Sequence, residues 1–290
     1  MSEKTIRGIL RHSDSETFVE GSDGEKYYKD RIIWDGYLSH WKDKRVFARE
    51  LSQKDYMREE PIIIMWPDDP DPANPVVDLY YNERLVKYRT STFGHNAISV
   101  NGEIFNFSHL LNENEVITSE EYFYRPALGE FAPSPESGMF ELDVDGRDYY
   151  DKFGRNFMRT IHVLRLTGID TDKLAGIYHR ELKTIHSTPT DPKHPEKYRD
   201  FKFWNRSCAT IIRDGLIEYG IDNISGFLPR DFFVSTLYGA LMSKEKLGIS
   251  VELFTMSQLN VPEASPSAMT PLLNPLNKNK LKKSLTLLAQ

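Results

Sequence analysis

Between residues 5 and 66, apolar and polar positions alternate in short runs: TIRGIL, ETFVE, KYYKDRIIW, KRVFAREL and PIIIMW, with GSDGE as a turn after the second. A period of two marks half-buried strands, and turn clusters at such close intervals predict a small antiparallel β-barrel or sandwich. PDDPDPANP at 67–75 follows, with four prolines and three aspartates that neither a strand nor a helix can continue through, so it reads as a linker. Beyond it, VVDLYYNERLVKY predicts strands, and TFGHNAISVNGEIFNFS sets Asn101-Gly102 between two alternating runs, the strongest short hairpin signal. With those two residues as the turn, Val100 faces Glu103, Ser99 faces Ile104, Ile98 faces Phe105 and Ala97 faces Asn106. Residues 95, 97 and 99 then share a face with 104, 106 and 108, so Asn106 lies one diagonal step from His95.

From 110 to 155 the chain is aromatic-rich without a clear period. Within it, DVDGRDYYD at 143–151 lacks the spaced third acid and the closing glutamate of a calcium loop and reads as an Asp-Gly turn. MRTIHVLRL predicts a strand, and TDKLAGIYHRELKTIHST a helix with Leu174, Ile177, Leu182 and Ile185 on one face and Thr171 as its cap. YRDFKFW reads as a short strand, SCATIIRDGLIEYG as a helix stopped by Gly220, FLPRDFFVSTLYGALMSKEKLG as a further helix and ISVELFTM as a strand. The prediction is an α+β chain: a small N-terminal β-barrel or sandwich at 1–66, the linker, an α+β domain at 76–258 and a mobile tail at 259–290.

Composition narrows the function. With 39% hydrophobic and 12% aromatic residues a sizeable core can be buried, while 37 Lys and Arg against 43 Asp and Glu leave a net charge of -6 and a pI near 5.8. That balance argues against nucleic acid as a partner, and no basic stripe accompanies Tyr27, Tyr28, Trp34 and Tyr37 in the N-terminal part. Residues 1–66 read instead as a docking or stabilising module for a protein partner. The opening MSEKTIRGILRHSDSE has no apolar h-region and no run approaches a membrane span, which predicts a protein without signal peptide or transmembrane segment, cytoplasmic as synthesised. No GxSxG, Walker A, GxGxxG or HExxH pattern occurs, and no cofactor is expected. His179 and His186 share a helix face but lack a third ligand, so no metal site is expected either.

Cysteine chemistry has a full set of parts. Cys208 is the only cysteine, and it falls in the first turn of a predicted helix, where the positive end of the dipole favours a thiolate. Asn205 and Ser207 are both N-cap candidates there. Among eight histidines His95 is best placed as the base, because it opens a strand directly after Gly94, where a missing side chain leaves room for close approach. Asn106, on the face of His95, would fix its tautomer and complete a nucleophile, base and orienter set. His109 would be the orienter if the hairpin register slipped by one residue. The competing reading is a non-catalytic interaction scaffold in which Cys208 is core packing.

FGHNAISVNGEIFNF followed much later by NRSCATIIRDGL resembles the circularly permuted branch of the papain-like NlpC superfamily, in which the histidine strand precedes the cysteine helix. Lecithin retinol acyltransferase-like proteins are similar, as are bacterial permuted families with a GHxxI strand and an NC(S/T)xxxxDxL helix. The resemblance covers about residues 76–258. It implies Cys208 as nucleophile, His95 as base and Asn106 as polar third residue, with Ser207, Asn205 and Gly94 beside the oxyanion site. Asn205-Arg206-Ser207-Cys208 stands where those families have an adjacent Asn-Cys pair. The implied activity is a hydrolase or acyl transferase that cleaves an amide or ester through an acyl-enzyme, with peptidoglycan peptides, other peptide or isopeptide bonds, or lipid esters as substrate. One coherent form is a bacterial effector exported by a contractile machine, with residues 1–66 as its loading module. The tail LNKNKLKKSLTLLAQ sets four lysines among Leu276, Leu281, Leu285 and Leu288, a pattern suited to weak surface contact with a membrane.

Overall fold

The computed structural model describes residues 4–29, 31, 33, 35–54, 60–68, 75–84, 93–124, 131–133, 140–142, 156, 159–256 and 275–289. In chain order the elements are β1 (Ile6–His12), β2 (Thr17–Gly21), β3 (Lys26–Tyr27), α1 (Asp35–Trp41), β4 (Arg45–Lys54), β5 (Pro61–Pro67), β6 (Val76–Asn82), β7 (His95–Val100), β8 (Glu103–Asn106), β9 (Glu115–Ile117), α2 (Ser119–Tyr124), β10 (Phe131–Pro133), β11 (Phe140–Leu142), β12 (Ile161–Thr167), α3 (Thr171–Ser187), α4 (Cys208–Tyr219), α5 (Pro229–Leu247), β13 (Ser250–Met256) and α6 (Pro275–Leu288). They make an α+β protein of two compact units, one from residues 1–71 and 119–158, the other from 72–118 and 159–290.

The first unit is built on an antiparallel sheet in the order β3-β2-β1-β4-β5. Leu10, Val19, Val46 and Ala48 are fully buried within it, and the adjacent Ile64 and Met65 are both buried as well, so β5 is covered on both faces. Among the described residues the sheet does not close, so of the barrel and sandwich expected the barrel form is not what is seen. Two short helices that the pattern did not predict belong to this unit. One is α1, whose Tyr37 and Trp41 are buried, and the other is α2, tied to β4 by Arg49 Nη2 on a Glu121 carboxylate oxygen at 2.9 Å. Among the described residues, the run KYYKDRIIW yields the two residues of β3, and Tyr28 directly after them turns to φ 53. Asp68, read as part of a solvated linker, accepts from Arg7 Nε at 2.8 Å and Arg45 Nε at 3.0 Å and is anchored to the sheet. The remaining linker residues 69–74 and the turn at 143–151 lie outside the described residues.

The second unit stacks helices on an antiparallel sheet ordered β13-β12-β6-β7-β8-β9. Val77, Leu79, Ile98, Val100, Phe105, Leu164 and Leu166 form one face of it and share a core with Leu174, Tyr178, Ile185, Ile212, Leu216, Phe232, Phe233 and Leu237 of the helices. The hairpin β7-β8 has the predicted register, Val100 opposite Glu103 through Ala97 opposite Asn106. Its turn carries positive φ at Asn101 (51°) and Gly102 (90°), the twist that a two-residue hairpin needs. The helix expected from Thr171 is capped one residue earlier, by Asp170 Oδ1 accepting from Lys173 N–H at 2.9 Å. YRDFKFW is not a strand: its backbone is held by turns such as Phe201 N–H on Tyr198 O at 3.1 Å, and by Tyr198 N–H on His109 O at 2.8 Å.

The tail differs most from expectation. Its C-terminal part is the helix α6, packed on α5, while residues 259–274 lie outside the described residues. Hydrophobic periodicity missed this packing because polar groups make much of the contact. Asn277 and Ser284 are fully buried, Asn277 Nδ2 donates to Asp231 O at 3.1 Å, and Lys280 Nζ reaches Ser225 Oγ and Ser235 Oγ, each at 3.2 Å. Leu281 and Leu288 pack on the core, so half of the leucines invoked for membrane contact face inward. No described helix is long and apolar enough to cross a membrane.

Two helix glycines separate packing from propensity. A Cβ on Gly215 of α4 would stand 2.4 Å from Tyr178 Cε1, whereas one on Gly176 of α3 meets nothing within 4 Å. Gly215→Ala is expected to lose about 1–3 kcal/mol through overpacking, and Gly176→Ala to gain about 0.4–1 kcal/mol. Urea unfolding midpoints of the two variants check this, and opposite signs are the expected result.

Candidate active site

Cys208 begins α4 because Ser207 ends the preceding turn in extended backbone (φ -107, ψ 172) and half of a capping box forms around it, with Ser207 N–H donating to Thr210 Oγ1 at 2.8 Å. Ala209, Ile212 and Leu216 are fully buried behind it, and Tyr178 O–H donates to Ile212 O at 3.0 Å, so the helix start has little freedom. Upstream, Arg206 Nη2 donates to Tyr198 Oη at 2.6 Å and pairs with Glu181, which fixes the segment leading into the cysteine.

His95 is the first residue of β7 and lies opposite Asn82 of β6. Gly94 before it has φ 75, and a Cβ there would stand 2.4 Å from Asn82 O, so only glycine lets the chain enter the strand so closely. Beneath Gly94, Tyr81 Oη accepts from Arg230 Nε at 3.0 Å, and Arg230 stands 3.6 Å from the buried Glu83, which takes His162 Nε2–H at 2.9 Å. This buried polar set holds the end of β6 on which His95 rests.

The hairpin register brings Asn106 Oδ1 to 2.7 Å from His95 Nε2. Asn106 Nδ2 donates to Glu113 O, also at 2.7 Å. Since a carbonyl only accepts, the amide must present its oxygen to the ring, and Nε2 must carry the proton. Nδ1 is the nitrogen left to face the thiol of Cys208, and the two groups shift one another's ionisation. Burial pushes the Cys208 thiol up, but the adjacent His95 charge, the hydrogen bond to it and the backbone N–H groups of Asn96 and Ala209 outweigh burial and hold the thiol below its ordinary value. Burial likewise pushes His95 down, and the thiolate charge, the bond to Cys208 and the Asn106 acceptor more than offset it, against a smaller opposing effect of Arg159. Depressed thiol and elevated imidazole together favour a thiolate–imidazolium pair. The N–H of Cys208, first in its helix, has no acceptor within the helix and is available to an oxyanion.

The structure thus brings Cys208, His95 and Asn106 together, with Gly94 alongside. Ser207 is buried as the cap, its hydroxyl 3.3 Å from Thr210 Oγ1, and Asn205 is exposed in a turn with its N–H on Lys202 O at 3.2 Å. His109 stands edge-on to Phe201 at 5.9 Å. His179 binds Glu103 at 3.0 Å and His186 binds Asn114 O at 2.7 Å. Among the described residues no group of three or more His, Cys, Asp or Glu is arranged to hold a metal. Sequence reasoning missed the amides of Asn96 and Ala209, the Glu113 carbonyl and Arg159. Three of these act through backbone atoms, which carry no residue signature. No family model, curated protein or solved structure matches the chain.

An ordinary thiol loses about 100-fold of its thiolate between pH 8 and pH 6. Because His95 holds the Cys208 thiol down, the iodoacetamide alkylation rate of the native protein is expected to fall far less over that range. His95→Ala should restore the steep loss, and Asn106→Ala should fall between. A native profile as steep as that of the urea-unfolded chain would show an unactivated thiol.

Proposed function

We propose that this chain is a cysteine-dependent hydrolase or acyl transferase acting on an amide or ester, in a permuted papain-like α+β domain. One observation carries the reading: His95 is held at Nε2 by Asn106 and acts on Cys208 at a helix start, each of the two shifting the other towards its charged form. The order of parts, a histidine hairpin before a cysteine helix on an antiparallel sheet, supports the permuted arrangement.

The steps follow from the positions. Cys208 thiolate attacks the carbonyl carbon, a C–S bond forms, and the oxygen takes negative charge facing the Cys208 N–H. As the tetrahedral species collapses, the bond from carbon to the leaving nitrogen or oxygen breaks, and His95 Nδ1 delivers its proton to the departing atom. Neutral His95 then accepts a proton from water or an acceptor hydroxyl or amine, which attacks the thioester. The C–S bond breaks and the thiolate is restored beside an imidazolium. Asn106 keeps the ring in one tautomer through both halves. Peptidoglycan peptides, other peptide or isopeptide bonds and lipid esters all fit this chemistry. An exported effector whose N-terminal unit docks on a protein partner is the biological setting we favour.

p-Nitrophenyl acetate is expected to give a burst of product and an acetyl adduct on Cys208, identified by intact mass and peptide mapping. Cys208→Ala should lose the adduct and about 10³-fold or more of the turnover with an unchanged thermal melt. Equal turnover in native and Cys208→Ala protein would overturn the proposal.

A further inference from the structure

Four aromatic rings from three loops of the second unit form a chain of contacts outside its hydrophobic core. Phe93 meets Phe203 with centroids 5.7 Å apart, Phe203 meets Trp204 at 5.3 Å and Phe227 at 6.0 Å, and Trp204 meets Phe227 at 4.6 Å. Trp204 is 65% exposed and Phe93 39%. Single exposed apolar side chains are ordinary, but a contiguous exposed group of the largest ones marks a contact surface.

Placement ties these rings to the dyad. Phe93 stands two residues before His95, and Phe203 and Trp204 stand five and four residues before Cys208, so two of the three loops run directly into the reacting side chains. The loops are set by the fold. Asn205 N–H and Arg206 N–H both bond Lys202 O, at 3.2 and 2.8 Å, closing a turn around Phe203-Trp204, and Arg213 Nη1 holds Gly226 O at 3.0 Å beside Phe227. The surface is therefore pre-formed, which lowers the entropy cost of binding.

Ring geometry selects the ligand. A sugar or a base lies flat on one ring face with polar partners at its edge. Here the planes cross at 81°, 71°, 61° and 50°, which makes a ridged apolar wall without a flat platform. Such a wall grips a flexible hydrocarbon through dispersion and water exclusion, neither of which demands orientation. We propose that Phe93, Phe203, Trp204 and Phe227 form the acyl-binding surface of the Cys208 site and select substrates whose scissile carbonyl carries a hydrocarbon chain. The inference rests on Cys208 as nucleophile and chooses among the substrates which that reading admits.

The test is a p-nitrophenyl ester series from acetyl to decanoyl, with matching p-nitroanilides to separate ester from amide sources of the same chain. In native protein kcat/KM is expected to rise with length, by up to about fourfold per methylene where burial is complete. Trp204→Ala and Phe227→Ala should flatten the rise, costing the decanoyl compound about tenfold or more and the acetyl compound less. A second arm uses Cys208→Ala, which cannot turn over: N-decanoylglycine should shift tryptophan emission, and Trp204→Phe in that background should abolish the shift. Turnover that ignores chain length, or an equal loss at every length in Trp204→Ala, overturns the acyl surface and leaves the thiol chemistry standing. Decanoyl binding without turnover in the native protein leaves the surface standing and overturns the acyl transfer. A change in oligomeric state alone in Trp204→Ala would show the rings to be a contact between copies, and so overturn the surface as a substrate site.

Discussion

The bond from His95 Nε2 to Asn106 Oδ1 is the constraint on which the candidate site depends, and it is a consequence of register. Side chains alternate along a strand, so a slip of one residue would turn Asn106 to the opposite face and leave His95 free to present either nitrogen. The Asn101-Gly102 turn prevents that slip by setting both residues at positive φ. Asn106 is then locked from behind by the Glu113 carbonyl. A two-residue turn, a ring tautomer and the charge on a thiol several strands and helices away are thus one connected statement about the chain.

Burial alone would make this thiol a poor nucleophile. A half-buried sulfur beside the apolar face of α4 resists ionisation, and a half-buried imidazole resists protonation. Each group favours its charged form because of the other, so the two shifts have a common cause and stand or fall together. The backbone amides of Asn96 and Ala209 add donors that no side-chain substitution removes. The rigidity of α4 matters for the same reason: a helix start that moved would weaken the pair before it weakened the fold.

How much of this was legible in the sequence follows from where the information lies. The hairpin, its register and the stop at Gly220 were readable because local chemistry decides them: positive φ at Asn101-Gly102, and a glycine after the last apolar position of α4. α1 was hidden because seven residues with a glycine and two aromatics carry no helical period. For the N-terminal sheet the sequence left barrel and sandwich both open, because alternation reports strands but says nothing about whether the last finds the first. α6 was read as a loose tail because its contact with α5 runs through Asn277, Lys280 and Ser284, residues that a periodicity argument assigns to solvent. The aromatic loops had no period at all, and their meaning came only when separate segments were brought together.

The order of strands also bears on how the molecule comes into being. β6 sits between β7, its neighbour in sequence, and β12, which follows only after the chain has contributed residues 119–158 to the other unit. Cys208 arrives later still. A nascent chain that has finished its histidine hairpin therefore holds His95 without Cys208, and the central strand keeps one open edge until β12 docks. Contacts of such long sequence separation are slow to form. His95 and Cys208 meet only through such long-range packing, so the state of the pair depends on the second unit as a whole.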